Sequence, residues 1–356
     1  MQLLLTIFLA IILAIVLFIG LVVLFGYALS CKPYRGPVSD HFDGNRFRNP
    51  SGRPANGFKE VGEYGRKRQP DKWQRVADPK YISRTIPIPT EGQLQYTFIN
   101  HSTFLIQIDG INILTDPIWS KRCSPFQWAG PQRMRPPGIT FDKLPKIDLV
   151  LLSHNHYDHL DKNTVKALIR QHNPTFIVPL GLVHLIKKFG STKVTALDWW
   201  EATPFEQLFI KATPANHFSS RGLFDRDKTL WCGYIIQGRE EKLYFVGDTG
   251  YSAIFEEIGD REGPFDLCFI PIGAYMPEWF MSPIHISPQE AVQVHKDIRS
   301  QKSVAKHFGT FPLADDNPER SCAGLVQARE KEGLTEEQFA IPQEGQCIQI
   351  SRANLA

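Results

Sequence analysis

The chain has 356 residues, room for about two domains at roughly 150 residues each. Its 42% hydrophobic and 22% charged residues exclude a wholly disordered protein. Six cysteines without a CxxC pair exclude a disulfide scaffold or zinc ribbon, and a formal net charge of +3 is too small to indicate nucleic acid.

Leu3 to Leu29 carries no charge and is interrupted only by Thr6, Gly20 and Gly26; the first charged side chain is Lys32. As a helix it would be about 40 Å long, enough to cross a hydrocarbon layer of ~30 Å with tilt. A cleaved signal peptide would have a basic start, and Met1-Gln2 supplies none. Ala28-Leu29-Ser30-Cys31 only faintly resembles a lipoprotein cleavage site, so a retained single-pass anchor over 1–30 is expected. Lys32, Arg35, Arg46 and Arg48 follow it, which by the positive-inside tendency puts the bulk of the protein on the cytoplasmic side. Residues 31–92 read as a basic juxtamembrane neck: 32–92 hold 13 Lys+Arg against 7 Asp+Glu, with little apolar periodicity. Two readings stand side by side, attraction to anionic lipid head groups or a solvated, extended linker.

Residues 93–352 read as one α/β domain. Leu94 to Asn100, Thr103 to Ile108 and Ile111 to Leu114 are β-prone, the last two joined by the turn Asp109-Gly110. Ile147 to Leu152 is apolar almost throughout, as a strand buried on both faces should be. Asp161 can cap a helix through Val165, Leu168 and Ile169. Further strands are expected at Thr175 to Val178, Glu206 to Ala212, Leu230 to Ile236, Lys242 to Val246 and Leu267 to Ile270, and Ser287-Pro288-Gln289-Glu290 looks like a helix start. The architecture expected is two sheets covered by helices.

The chemistry begins directly after the buried strand, at Ser153-His154-Asn155-His156-Tyr157-Asp158-His159. A loop can turn neighbouring side chains toward one point, and imidazole with carboxylate is a donor set that zinc and related divalent ions accept. A lone histidine is more often a core or surface residue than a ligand; three with an aspartate reverse that expectation. His217 follows a strand and sits near Pro214 and Asn216; Asp248 lies between Gly247 and Gly250 after an apolar run; His307 follows Val304-Ala305. Singly, each has a bland reading as a loop residue, turn former or strand-end cap. His101 lies between two strands, and His41, His172, His184 and His295 read as surface or helix residues.

The run resembles the HxHxDH signature of the metallo-β-lactamase superfamily. With Thr115-Asp116-Pro117, Asp198-Trp199-Trp200-Glu201, Gly247-Asp248-Thr249-Gly250-Tyr251, Ile270-Pro271-Ile272-Gly273-Ala274-Tyr275 and His307-Phe308-Gly309-Thr310-Phe311, the stretch from about Leu94 to Asp316 is similar to the N-acyl-phosphatidylethanolamine-hydrolysing phospholipase D family. The resemblance implies an αββα sandwich and two Zn²⁺ ions, one on His154, His156 and His217, the other on Asp158, His159 and His307, with Asp248 bridging. It implies phosphodiester hydrolysis by a hydroxide shared between the metals, with Asp158, Asp248 and His285 as catalytic residues. His285 would lie near the phosphate of a phospholipid substrate at the bilayer and His101 would support the site without binding metal; Tyr157, inside the metal motif, could reach the substrate or only pack the loop. Where the family has Gln, this chain has Asn216 and Ile284, which bears on head-group and acyl preference. Trp119, Phe126, Trp128 and Met134, beside Arg122, Arg133 and Arg135, could enter the head-group layer or line a homodimer contact. Alternative readings are a hydrolase of another ester, a lactone or a soluble phosphodiester, and a scaffold that keeps metal for stability; the seven ligand types exceed the four a structural zinc needs.

Overall fold

The computed structural model describes residues 2–76 and 93–350; the last part of the expected neck, 77–92, and positions 351–352 of the expected domain lie outside the described residues. In chain order the elements are α1 (Gln2–Leu29), α2 (Phe58–Lys67), β1 (Leu94–Asn100), β2 (Thr103–Ile108), β3 (Ile111–Thr115), β4 (Leu149–Leu151), α3 (Lys162–Gln171), β5 (Thr175–Pro179), α4 (Val183–Phe189), β6 (Val194–Leu197) and β7 (Ala202–Phe205). They continue with β8 (Leu208–Thr213), β9 (Gly233–Gln237), β10 (Lys242–Phe245), α5 (Ile254–Glu262), β11 (Phe265–Pro271), α6 (Glu278–Met281), α7 (Pro288–Asp297), β12 (Ser300–Lys306), α8 (Pro318–Lys331), β13 (Phe339–Ala340) and β14 (Cys347–Ile350).

The strands form two seven-stranded sheets, ordered β14-β1-β2-β3-β4-β5-β6 and β13-β12-β11-β10-β9-β8-β7. Each is antiparallel at first and turns parallel, from β3 onward in the first sheet and from β10 onward in the second. Period-two alternation explains the nearly continuous apolar runs. In β2, Phe104, Ile106 and Ile108 face the inter-sheet core, where Phe104 meets Phe269 of β11 at a ring separation of 4.6 Å. Leu105 points the other way and packs with Leu114, Val150, Val165, Leu168 and Ile186 under α3 and α4. Helices α5, α7 and α8 add Phe255, Ile258, Val292, Val294 and Leu325 to the larger core. The two-sheet sandwich flanked by helices is the architecture the resemblance implies.

Local signals place the helix starts. Asp161 accepts from the Asn163 amide at the start of α3, and Ser287 with Glu290 forms a reciprocal capping box on α7. β6 and β7 lie in stretches not assigned to strands above; their exposed or half-buried residues, such as Thr195 and Ala202, break the apolar run, whereas β12 is the strand expected ahead of His307.

The segment 31–76 departs from an extended linker. Phe42 and Phe47 are 2% and 3% exposed and belong to the main core. His41 stacks on Trp199 at 4.4 Å and its Nε2–H donates to Asp198 at 2.7 Å, so it is no surface residue. Further along, Tyr64 on α2 stacks on Phe280 and donates to Asp315, Arg320 pairs with Asp71 through two bonds, and the Trp73 indole donates to the Asp316 carbonyl. This strap wraps the domain. Ahead of it, α1 is exposed along most of its length, with Gly26 buried under Leu223 and Leu29 half-buried.

Candidate metal centre

The site sits at one edge of the sandwich, where strand ends from both sheets meet. The 153–159 loop follows β4, His217 follows β8, Asp248 follows β10 and His307 follows β12. Two tight approaches demand glycine. A Cβ on Gly247 would sit 2.3 Å from the Cys232 carbonyl oxygen, and one on Gly250 would sit 2.5 Å from the Ser282 and Pro283 carbonyl oxygens. His101, Asp116 and His307 take left-handed backbone angles, with φ of 48°, 37° and 59°. Such geometry costs about 1–3 kcal/mol per residue and persists only where surroundings hold it. Here the His307 amide donates to the His101 carbonyl at 2.8 Å, tying the sheets together at the site.

Seven sequence-predicted ligands converge. His156 Nδ1 lies 2.8 Å from His154 Nε2 and 3.2 Å from His217 Nε2. His159 Nε2 lies 3.0 Å from both Asp158 Oδ2 and Asp248 Oδ2, and His307 Nε2 lies 2.8 Å from Asp248 Oδ2 and 3.4 Å from Asp158 Oδ2. Asp248 also gathers with His154 and His159, and with His217 and His285; in each group the donor atoms lie within 4.8 Å of one another. It is the residue common to both halves.

The outer nitrogens explain why a cation fits. Asp116 accepts from the Ser153 amide and hydroxyl and from His159 Nδ1–H, each at 2.7 Å. The Ser153 oxygen, its proton committed to Asp116, accepts from His154 Nδ1–H at 2.9 Å. His217 Nδ1–H donates to the Ile284 carbonyl at 2.9 Å. These partners fix the tautomers so that Nε2 of His154, His159 and His217 each presents a bare lone pair inward. Lone pairs facing lone pairs and carboxylates, all buried, repel unless a cation lies between them. Among the described residues His159 Nε2 and His307 Nε2, though close to these carboxylates, complete no hydrogen bond. Burial works against charging His159, yet the Asp248, Asp158 and Asp116 carboxylates outweigh it and raise its pKa well above the ordinary value; a field that attracts a proton so strongly also attracts a divalent ion. Nitrogen and carboxylate donors in this number suit zinc or a related ion.

His101 Nε2–H donates to Asp158 Oδ2 at 2.9 Å, the supporting place expected for it. His285 faces the cluster, its ring 5.2 Å from that of His217 and 5.1 Å from that of His307, with Nδ1 buried and unpartnered. Burial lowers its pKa to about 3, so the ring is neutral. Tyr157 packs the loop, one of the two readings open to it: its hydroxyl donates to the Arg221 carbonyl at 3.0 Å and its ring lies 3.9 Å beneath the Arg221 guanidinium. The aromatic loop divides likewise. Trp119 is held inside by a bond to the Ile139 carbonyl and Arg133 is buried on the Ile118 carbonyl, while Trp128 is 80% exposed. His295 is buried and bonded to Ser303.

Three contributors had no role assigned to them in the sequence. Asp116, within the Thr115-Asp116-Pro117 motif, holds both ends of the 153–159 loop. Lys306, fully buried, lies 3.4 Å from Asp248 Oδ1 and from Ser102 Oγ; a lysine directly before His307 at the end of an apolar strand was the available signal. Asn49, in the strap, accepts from the His217 amide at 2.9 Å, and the Ser51 amide donates to Asn216.

Fold and site together define a metal-dependent hydrolase. Residues 111–308 match the family described as Beta-lactamase superfamily domain. The N-acyl-phosphatidylethanolamine-hydrolyzing phospholipase D 1 of Caenorhabditis elegans is 39% identical over 278 residues, 71% of this chain and 78% of that protein. A mitochondrial protein of the same name from Saccharomyces cerevisiae is 35% identical over 62% of this chain and 48% of its own length. In fold, Igni18, a metallo hydrolase of Ignicoccus hospitalis, superimposes with a TM-score of 0.56 at 22% identity, covering 73% of this chain and 99% of that one. The chain belongs to the metallo-β-lactamase superfamily and, within it, to the N-acyl-phosphatidylethanolamine-hydrolysing phospholipase D-like family.

Proposed function

We propose that the chain is a membrane-anchored phosphodiesterase that binds two divalent ions, zinc by its donor set, and hydrolyses N-acyl-phosphatidylethanolamine or a related phospholipid to phosphatidic acid and the N-acylethanolamine. The observation that carries this reading is the convergence of His154, His156, His159, His217 and His307 with Asp158 and Asp248, the last reaching both halves, in a chain so similar to the worm protein. His154, His156 and His217 would hold one ion, Asp158, His159 and His307 the other, with Asp248 between. Bound there, such ions would supply Lewis acidity, lowering the pKa of water toward ~7 and neutralising charge on a phosphate.

The chain's own groups do the positioning. Lys306 against Asp248 Oδ1 holds that carboxylate in place from behind. Asp158, with its side chain 13% exposed against 2% for Asp248, is the more open acceptor at the mouth. His285, neutral and with no partner for Nδ1 among the described residues, would hydrogen-bond a phosphate oxygen through its ring N–H. An α1 of 28 residues, about 42 Å at 1.5 Å per residue, supplies the anchor, and tethering raises the encounter rate with a bond that lies at the interface.

The test is product analysis by mass spectrometry, with metal content determined in the same preparation. Phosphatidic acid and N-acylethanolamine should appear from N-acyl-phosphatidylethanolamine vesicles and vanish on chelation. Equal product formation by the Asp248→Asn or His154→Ala variant would defeat the reading.

A further inference from the structure

The last turn of α1 does not leave the domain through open solvent. Gly26 is covered by Leu223, the Phe224 amide donates to Ser30 Oγ at 3.2 Å, and the Cys31 amide donates to Asp225 at 2.7 Å. Phe25 meets Phe126 edge to face at 6.5 Å, and Phe126 in turn meets Trp128 at 5.3 Å. Trp128, Leu223 and Phe224 are 80%, 58% and 50% exposed. Large apolar side chains around the foot of a hydrophobic helix would lie at the height where that helix enters a bilayer.

Beside them, Leu29 and Ser30 of the anchor form one wall of a pocket of about 240 Å³. The opposite walls carry Lys162 and Lys166 from the first turns of α3 and Lys188 from the last turn of α4, over Phe189. These three ammonium groups form no ion pair among the described residues. The one carboxylate on the wall, Asp161, is committed to Ser120, Asn163 and Thr164. Like charges at i and i+4 of a helix repel one another, and a third beside them adds to the cost unless an anion sits among them. The pocket also borders the metal loop through Tyr157.

We propose that this pocket receives the head-group phosphate of an anionic glycerophospholipid from the leaflet in which α1 ends, docking the catalytic domain flat on the bilayer, with Trp128, Leu223 and Phe224 entering the head-group layer. The proposal rests on the anchor reading of α1. An anionic lipid, rather than a zwitterionic one, fits because the pocket offers cations and no free carboxylate to meet a choline or ethanolamine.

The experiment uses the full chain in phosphatidylcholine vesicles with or without phosphatidylglycerol, followed by flotation and by native mass spectrometry of the retained lipid. Wild-type chain should float with both vesicles and retain phosphatidylglycerol in excess of its share. At about fivefold per charge near an anionic surface, the K162Q/K166Q/K188Q variant should float equally well and lose at least tenfold of that excess, while K162R/K166R/K188R should keep it. Failure to float would remove the anchor, and the lipid site with it. Flotation with an undiminished excess in the glutamine variant, or displacement of the lipid by inorganic phosphate, would overturn the lipid site alone.

Discussion

The metal loop and the strap are both built of short, irregular backbone, and they differ in how their meaning is stored. In 153–159 the functional groups are neighbours in sequence, and the buried strand β4 ahead of them fixes their place. In 31–76 the decisive residues are isolated: Phe42 and Phe47 amid polar neighbours, His41 aimed at Asp198, Asn49 aimed at the His217 amide. A local cluster declares its chemistry by proximity. A strap declares it only through partners more than a hundred residues away.

Four measurements press on that contrast. The largest effect belongs to the cluster: Asp248→Ala should lose bound metal and at least about 10⁴-fold in rate, ~5 kcal/mol at 1.36 kcal/mol per decade, as read by elemental analysis and initial rates. Next, Phe42→Ala should destabilise the fold by about 3–5 kcal/mol, seen as a lowered denaturation midpoint in detergent; an unchanged midpoint would return the strap to the status of a linker. Asn49→Ala and Asp116→Asn, which touch ligands without being ligands, should each weaken metal affinity by roughly 10–100-fold in a chelator competition, with Asn49→Asp retaining more than Asn49→Ala because it keeps the acceptor. The smallest effect concerns pH. Burial disfavours charge on His41, but hydrogen bonds and charge from Asp198 and Asp40 outweigh it and raise its pKa above 6.5. Its contribution to strap docking is therefore complete below that value and fades as pH rises through the raised one. His41→Phe should keep the stacking on Trp199 and flatten the fall in thermal midpoint on the alkaline side; parallel pH profiles for the two proteins would assign the docking to packing alone.

Much of the catalytic domain was legible because both faces of its central strands are buried, so β1, β2, β4 and β10 announce themselves as apolar runs, and because Asp161 and Ser287 are caps with a local mechanism. The seven expected ligands come together because each follows a strand end in a sheet whose edge forms the site. What escaped was written in long-range contacts. β6 and β7 carry exposed and half-buried residues that break an apolar run, the role of Asp116 rests on its bond to His159 across the loop, and Lys306 acts through Asp248. Tyr157, adjacent to the ligands in sequence, was drawn off by Arg221; proximity along the chain does not decide where a side chain ends.

The pairing of β1 with β14, Leu94 opposite Ile350, bears on how the molecule is made. A ribosome delivers β1 long before this closing strand, so the edge of β1 stays open until β14 emerges, with its backbone donors and acceptors available to other chains. Truncations that delete the last strand should for this reason yield aggregates rather than a smaller working enzyme.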